Sequence, residues 1–393
     1  MRHRGGLLAI CGVLLIVSAC APASSPMATP SAALSVGSVA PSAGSVAPST
    51  GASPSSSAIS PDAISAVDAM LVNMTSQSVF SGSVLISQHG HVLLSKGYGL
   101  ADRAQKTPNG PQTRFAIGSN TKQFTAAAIM LLEGQGKLKV TDLICKYIAN
   151  CPSAWGVITI KELLTHTSGI IDYVNTLTDF YGYAGLPLTP AQVIAHFRDL
   201  PLEFAPGTTW KYSNSGYFLL GYIIEQVSGL SYEAFLQKSI LTPLNLNDTG
   251  INHGSNDVAI GYADSYSATP AQAVAPWLTY AAGALYSTVG DMNRWEAALT
   301  TDALLPATSR AEMFATQMAI PGGNPMVAGY GYGFLIGTDS GRPIIWHDGA
   351  VPGFLSIEAR YPADDVTVII LGNQTIGVEI ILGGISAKIF NAA

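Results

Sequence analysis

Apolar residues are distributed in three distinct ways along this chain. Leu7 to Val17 form an almost unbroken apolar run, and residues 21–61 hold Ala, Pro, Ser and Gly with almost no bulky apolar side chain. From about Pro61 to Ala393, apolar and polar positions follow the periods of strands and helices. Gly82-Ser83-Val84-Leu85-Ile86-Ser87, a turn at Gln88-His89-Gly90 and His91-Val92-Leu93-Leu94-Ser95 predict a hairpin. Phe115-Ala116-Ile117 reads as a short strand. Gln123–Glu133 reads as a helix with Phe124, Ala128, Leu131 and Leu132 on one face. Glu162–Gly169 predicts a helix that stops at glycine, and Tyr217–Val227 a second, more apolar one. Phe354–Tyr361 and Val366–Leu371 read as strands, and Ile376–Phe390 as a closing helix. Strands met in hairpin order favour an antiparallel sheet.

The first 61 residues have a different purpose. Met1-Arg2-His3-Arg4 is a basic start, followed by the short apolar run and by Ser18-Ala19-Cys20, the layout of an export signal. The run is too short for a membrane-spanning helix. Val17-Ser18-Ala19-Cys20 resembles a bacterial lipoprotein lipobox, which implies cleavage before Cys20, lipidation of that thiol and anchorage at a membrane of the cell envelope. Ordinary cleavage and secretion is the alternative. Residues 21–61 include Gly-Ser-Val-Ala-Pro-Ser twice, at 37–42 and 44–49. They lack the apolar surface needed to fold and make a tether of roughly 35 Å as a flexible coil. The expected division is a signal over 1–20, a tether over 21–61 and a globular domain over 62–393.

Charge and composition exclude several functions. Only 11% of residues are charged and the net charge is −6, more negative once Arg2 and Arg4 leave with the signal. Without basic runs interleaved with aromatics, nucleic acid is not an expected partner. No later apolar run reaches the length of a membrane span. Of four cysteines, Cys11 lies in the signal and Cys20 at the lipid site, so Cys145 and Cys151 are expected to pair as a disulfide in an exported protein. The C-x5-C spacing lacks further zinc ligands and no H-E-x-x-H occurs, so neither metal nor other cofactor is expected.

Three polar clusters interrupt the apolar pattern. Ser119-Asn120-Thr121-Lys122 is the one S-x-x-K in the chain. At the start of a helix, Lys122 lies one turn beyond Ser119 on the same side. There a desolvated amine can take the hydroxyl proton, and free N–H groups favour an oxyanion. Tyr212-Ser213-Asn214 follows a Pro206-Gly207 turn and precedes an apolar helix. A tyrosine hydroxyl can relay protons and an asparagine amide can hold both a carbonyl and a lysine, although a capping turn would use the same residue types. His347-Asp348-Gly349 follows an apolar strand-like run; alone it reads as a structural histidine and a turn. His166, near the end of the Glu162–Gly169 element, is expected to satisfy helix carbonyl groups.

Taken together and in this order, Ser119–Lys122, Tyr212–Asn214 and His347–Gly349 resemble the motifs of the serine β-lactamase and penicillin-binding-protein superfamily. The Y-S-N form, with Leu163–Gly169 and Pro206-Gly207 around it, is similar to the branch of class C β-lactamases, D,D-carboxypeptidases, D-amino-acid peptidases and related esterases. The resemblance implies an α+β fold, an antiparallel sheet covered by helices beside a mostly helical lobe, with Ser119 at their junction. It implies that Ser119 attacks a carbonyl and is acylated, that Lys122 and Tyr212 move protons, and that Asn214 orients the acyl group and Lys122. His347 would line the site, and the N–H groups of Ser119 and Ala350 would form an oxyanion hole.

One departure bears on substrate. Where class C β-lactamases usually carry K-T-G, this chain has His347-Asp348-Gly349, exchanging a permanent cation for an anion that repels a substrate carboxylate if Asp348 faces the cleft and constrains nothing if it faces solvent. The substrate expected is therefore a small molecule or peptide with an ester or amide bond, as for an esterase or D-amino-acid amidase. Cell-wall peptides and β-lactams (D,D-carboxypeptidase or β-lactamase activity) form the alternative, and a non-catalytic penicillin-binding-like sensor the alternative of another class. The intact motifs argue against the sensor. The amino-terminal reading makes a direct prediction: in a bacterial host fed labelled palmitate, the full chain takes up label and sediments with membranes, whereas Cys20→Ala does neither. Equal labelling of both would refute the anchor.

Overall fold

The architecture follows from a sheet that is apolar on both faces. A computed structural model describes residues 57–176, 187–254, 257–264, 266, 268–374 and 377–390; the expected signal, Cys20 and the tether up to residue 56 lie outside the described residues. Residues 56–393 form one compact unit. An eight-stranded antiparallel sheet runs in the spatial order His91–Tyr98, Gly82–Gln88, Val366–Gly372, Phe354–Tyr361, Arg342–Val351, Leu335–Asp339, Gly329–Tyr330, Met318–Ala319. The amino-terminal hairpin thus inserts against the carboxy-terminal strand, Gly82 opposite Gly372 and Gln88 opposite Val366.

Successive residues of a strand face opposite ways, and here both sides are covered. Val84, Ile86, Val366, Val368 and Ile370 join a core closed by the helices Pro61–Ser76 and Val378–Phe390. Leu85, Ile369 and Leu371 face the larger core that continues into the helical lobe. This double burial is why Val366–Leu371 is apolar at nearly every position.

The helical lobe is organised on Thr121–Gly134, whose residues from Thr121 to Met130 are all buried. It packs against the helices Asn214–Ser228 and Pro276–Gly283. Those two helices also approach each other closely through small side chains: a Cβ on Gly221 would lie 2.4 Å from the Ala281 methyl carbon. Asn214–Ser228 ends in a left-handed Gly229 whose N–H returns to the Glu225 carbonyl. The Cys145–Cys151 disulfide closes a loop of this lobe, with Cα atoms 5.3 Å apart.

One expected element is shorter than its sequence suggests. The helix expected over Glu162–Gly169 spans only Ile160–Leu164, started by a Thr159–Glu162 capping box. It stops because His166 is left-handed (φ 59°) and the following chain is tied to 203–211 by Glu203 N–H to Gly169 O, Gly207 N–H to Thr167 O and Lys211 N–H to His166 O. Gly169 is left-handed too. There the backbone approach sets the residue, since a Cβ would lie 2.2 Å from the Phe204 carbonyl oxygen.

Sheet and helical lobe meet where Arg342–Val351 loses a neighbour. Pairing with Leu335–Asp339 ends at Trp346, so among the described residues His347–Val351 is paired only on its Phe354–Tyr361 side. Its free edge faces the turn Gly118–Asn120. The approach is tight: a Cβ on Gly349 would sit 1.9 Å from the Ile117 carbonyl oxygen, and one on left-handed Gly118 2.7 Å from the Ala350 nitrogen. Because the colliding atoms are backbone, Gly349→Ala is expected to destabilise the protein by roughly 1–3 kcal/mol, read as a lower urea midpoint; an unchanged midpoint would contradict this packing.

Candidate active site

Ser119 is presented by the turn Gly118–Asn120 that leads directly into the helix Thr121–Gly134. A short strand, Phe115–Ala116, is held by pairing with Leu285–Ser287 and delivers the chain to this point. The turn is fixed to the sheet by buried side chains. Asn120 Nδ2 donates to Ser356 Oγ (2.7 Å), Ser356 Oγ donates to Ile117 O (2.8 Å), and Gln123 Nε2 donates to Asn120 Oδ1 (2.9 Å) and Glu358 Oε2 (2.8 Å). Trp295 Nε1 completes the set by donating to Gln123 Oε1 at 2.8 Å. Burial, and then the neighbouring Glu296 carboxyl, raise the Glu358 pKa well above the ordinary value.

Lys122 is fully buried, one helical turn beyond Ser119. Its Nζ lies 3.0 Å from Ser119 Oγ, 2.9 Å from Asn214 Oδ1 and 2.8 Å from the Ala282 carbonyl oxygen. Burial lowers its pKa from 10.5 to about 7, against the opposing pull of Asp172 and Asp348. Both protonation states are satisfied by this geometry. An ammonium finds three acceptors. A neutral amine keeps its two N–H bonds on the carbonyl oxygens of Asn214 and Ala282 and turns its lone pair to the Ser119 hydroxyl.

The Ala282 carbonyl owes its direction to a bent segment. Tyr280 adopts φ 41° and ψ −131° inside Pro276–Gly283, a conformation costly for a non-glycine residue. The next two carbonyls then point at the helix Thr121–Gly134, Ala281 O accepting Thr125 Oγ1 at 2.7 Å and Ala282 O accepting Lys122.

Tyr212 and Asn214 flank the start of Asn214–Ser228. Ser213 occupies the N-cap position, but its Oγ donates to Ile170 O (3.0 Å) rather than capping, and Asn214 points into the site. The Tyr212 side chain interacts with Ser119, and Lys122 Nζ lies 4.8 Å from its ring centre. Burial pushes the Tyr212 pKa well above 10, so the phenol is neutral near pH 7.

His347 is buried on the unpaired strand edge. Its Nδ1 bonds to the Asp348 carbonyl, which can only accept, so Nδ1 carries the proton and Nε2 accepts the Tyr330 hydroxyl at 3.0 Å. Burial lowers its pKa to about 3, leaving a neutral imidazole. The Asp348 side chain is one-third exposed, with its carboxylate 3.8 Å from His347 Nδ1. Its pKa is raised by desolvation, a rise opposed by Lys122. The Ala350 nitrogen lies beside Gly118, as the glycine contacts above require.

Ser119, Lys122, Tyr212, Asn214 and His347–Ala350 are thus brought to one place from three separate stretches. Cys145 and Cys151 serve the helical lobe instead, and Cys20 lies outside the described residues. Among the described residues no group of three His, Cys, Asp or Glu side chains gathers as a metal site, and no helix is long and apolar enough to cross a membrane.

His166 differs from its sequence reading. It caps no helix carbonyl with its ring: Nδ1 accepts the Ser213 N–H at 3.2 Å, while the His166 carbonyl accepts Lys211 N–H at 2.9 Å. The two bonds bracket Tyr212, whose ring centre is 4.3 Å from the imidazole; Tyr217 and Tyr330 pack around it at 5.1 and 4.7 Å. Burial holds its pKa well below 6.5. Asp172, which no motif singled out, accepts Asn214 Nδ2 at 3.0 Å. His166 lies within the run Leu163–Gly169, whereas Asp172, three positions beyond it, carried no sequence signal.

Comparison with known proteins identifies the family and the fold. The sequence model described as Beta-lactamase matches residues 67–380. The chain is 30% identical to "Putative penicillin-binding protein PbpX" of Bacillus subtilis (strain 168), over 81% of this chain and 76% of that protein. A solved structure described as an octameric penicillin-binding protein homologue from Pyrococcus abyssi superposes with a TM-score of 0.74 at 30% identity, covering 84% of this chain and 77% of the other. The D-amino acid amidase from Ochrobactrum anthropi SV3 shares the fold, with a TM-score of 0.75 at 22% identity over 84% and 99% of the two chains.

Proposed function

This chain belongs to the Beta-lactamase family, and from that premise we propose that it is a serine hydrolase acting through an acyl-enzyme on an ester or amide. The observation that carries the proposal is the buried Lys122 amine, 3.0 Å from Ser119 Oγ with a pKa near 7. Near neutrality a large fraction of it is free base, which a nucleophilic serine needs.

In the first step Ser119 Oγ bonds to the substrate carbonyl carbon and its proton passes to Lys122. The N–H groups of Ser119 and Ala350 receive the developing oxyanion. The alkoxide or amine then leaves with a proton relayed through the Tyr212 hydroxyl, and the acyl group remains on Ser119. Water, deprotonated by the same groups, releases the carboxylic acid and restores the serine. The raised Tyr212 pKa and lowered Lys122 pKa favour the lysine as base and the neutral tyrosine as proton relay. Asn214 holds Lys122 and offers its remaining N–H to the acyl group.

His347 and Asp348 support an ester or amide without a carboxylate at that subsite. Neutral His347 supplies no cation, and Asp348 adds an anion that repels a carboxylate by on the order of 1 kcal/mol. A penicillin, or a peptide ending in D-alanine, is accordingly a poorer substrate. We infer also that the enzyme is exported and held at the cell envelope by Cys20, its domain reaching out on the 21–61 tether.

Two experiments test this reading. Intact mass after incubation with a p-nitrophenyl ester, a D-amino amide and a penicillin is expected to show an acyl adduct or turnover with the first two. Both are abolished by Ser119→Ala, and the rate rises with pH through a midpoint near 7 as Lys122 loses its proton. Activity that survives in the alanine variant would refute the mechanism. In the second, Asp348→Thr is expected to raise kcat/KM for a penicillin roughly fivefold while the ester changes little; no gain would remove Asp348 as the discriminating group.

A further inference from the structure

We propose that Asp172 is a positioning residue: it sets the amide orientation of Asn214 and through it directs the Lys122 amine at Ser119. The inference deepens the serine-hydrolase reading and rests on it.

Asp172 follows the left-handed Gly169 and is buried. Its segment is joined to the start of Asn214–Ser228 by three side-chain bonds. Ser213 Oγ donates to Ile170 O (3.0 Å), Ser215 Oγ donates to Ile171 O (2.7 Å), and Tyr173 N–H donates to Ser215 Oγ (2.9 Å). The carboxylate is therefore held in place relative to Asn214. Asp172 Oδ1 accepts Val174 N–H at 3.1 Å and Oδ2 accepts Asn214 Nδ2 at 3.0 Å, and the Asn214 backbone N–H also favours the ionised carboxylate. Burial raises the Asp172 pKa, and these donors oppose that rise by stabilising the ionised form.

An ionised carboxylate only accepts. Asn214 must therefore turn its NH2 toward Asp172, which leaves Oδ1 toward Lys122 at 2.9 Å. The flipped amide would present a donor to Lys122 instead. A neutral amine would then spend its lone pair on Asn214 and turn away from Ser119. The two orientations are nearly identical in shape, so hydrogen-bond polarity alone distinguishes them, and Asp172 sets that polarity. It also adds charge. The groups acting on Lys122 are the carboxylates Asp172 and Asp348, the rings of Tyr212 and Tyr217 at 4.8 and 5.6 Å, and the neutral imidazoles His166 and His347. Asp172 also faces Tyr173 and Tyr212.

The test uses the full chain, its Asp172→Asn and Asp172→Ala variants and p-nitrophenyl butyrate as probe. Hydrolysis is followed across pH, and the Lys122 ε-carbon titration is read by NMR on lysine-labelled protein, assigned with Lys122→Arg. Asp172→Ala is expected to lower kcat on the order of 100-fold, with little change in KM. Asp172→Asn, whose carbonyl oxygen still accepts from Asn214, loses less. Both variants remove an anion that favours the ammonium, so the acid limb and the lysine titration move below the wild-type midpoint near 7. An unmoved lysine titration in Asp172→Asn, or a loss confined to KM, overturns the proposal. If wild type and Ser119→Ala hydrolyse the ester equally, the hydrolase reading falls, and the lysine titration still decides the positioning role.

Discussion

An amine kept out of water is the constraint on which this structure depends. Lys122 is completely enclosed, and an enclosed ammonium is tolerated only where each proton has an acceptor. The three acceptors come from three places: the turn before its own helix, the first residue of Asn214–Ser228, and a carbonyl of the bent segment at Tyr280. The lobe's helices are packed so that these atoms converge. The same enclosure lowers the lysine pKa toward neutrality, so the packing that organises the lobe also sets the protonation of its amine.

The second half of the site is a strand edge brought against a backbone turn. Gly118 and Gly349 let the Gly118–Asn120 turn and the Arg342–Val351 strand meet at a distance no side chain would permit. The buried Asn120–Gln123–Glu358–Trp295 set then holds the turn in register with the next strand. Sheet and helical lobe are thereby joined through the residues around Ser119. Displacing either lobe would separate Ser119 from Ala350 as directly as it would break the core.

The electrostatic character of the site comes from what is buried and what is exchanged. His347 is neutral because it is enclosed and shares its ring nitrogens with a carbonyl and a tyrosine hydroxyl. Burial brings the Lys122 amine down toward neutrality, and the Asp172 and Asp348 carboxylates oppose that fall. On the proposed reading, a site of this kind discriminates against a substrate carboxylate whichever bond is cleaved.

The sequence alone determined the elements with a strong local signal. The hairpin at 82–98, the helix after Ser119, the strands after His347 and the closing helix all follow from periodicity and turn residues, because each buries a regular apolar stripe. The ordered motifs Ser119–Lys122, Tyr212–Asn214 and His347–Gly349 pointed to the family, and Ser119–Lys122 is within reach of local geometry because one helical turn separates its members. Only the tertiary structure decided the rest. The helix expected over Glu162–Gly169 ended at Leu164 because bonds from residues 203–211 outcompeted its local propensity. His166 and Asp172 acquired partners 47 and 42 positions away, and Lys122 met an Ala282 carbonyl that has no side-chain signature at all. Periodicity and motifs report which residues are buried and which are chemically able. The orientation of an amide, the aim of a carbonyl and the pKa of an amine are set by atoms distant in the chain, and folding alone brings those together.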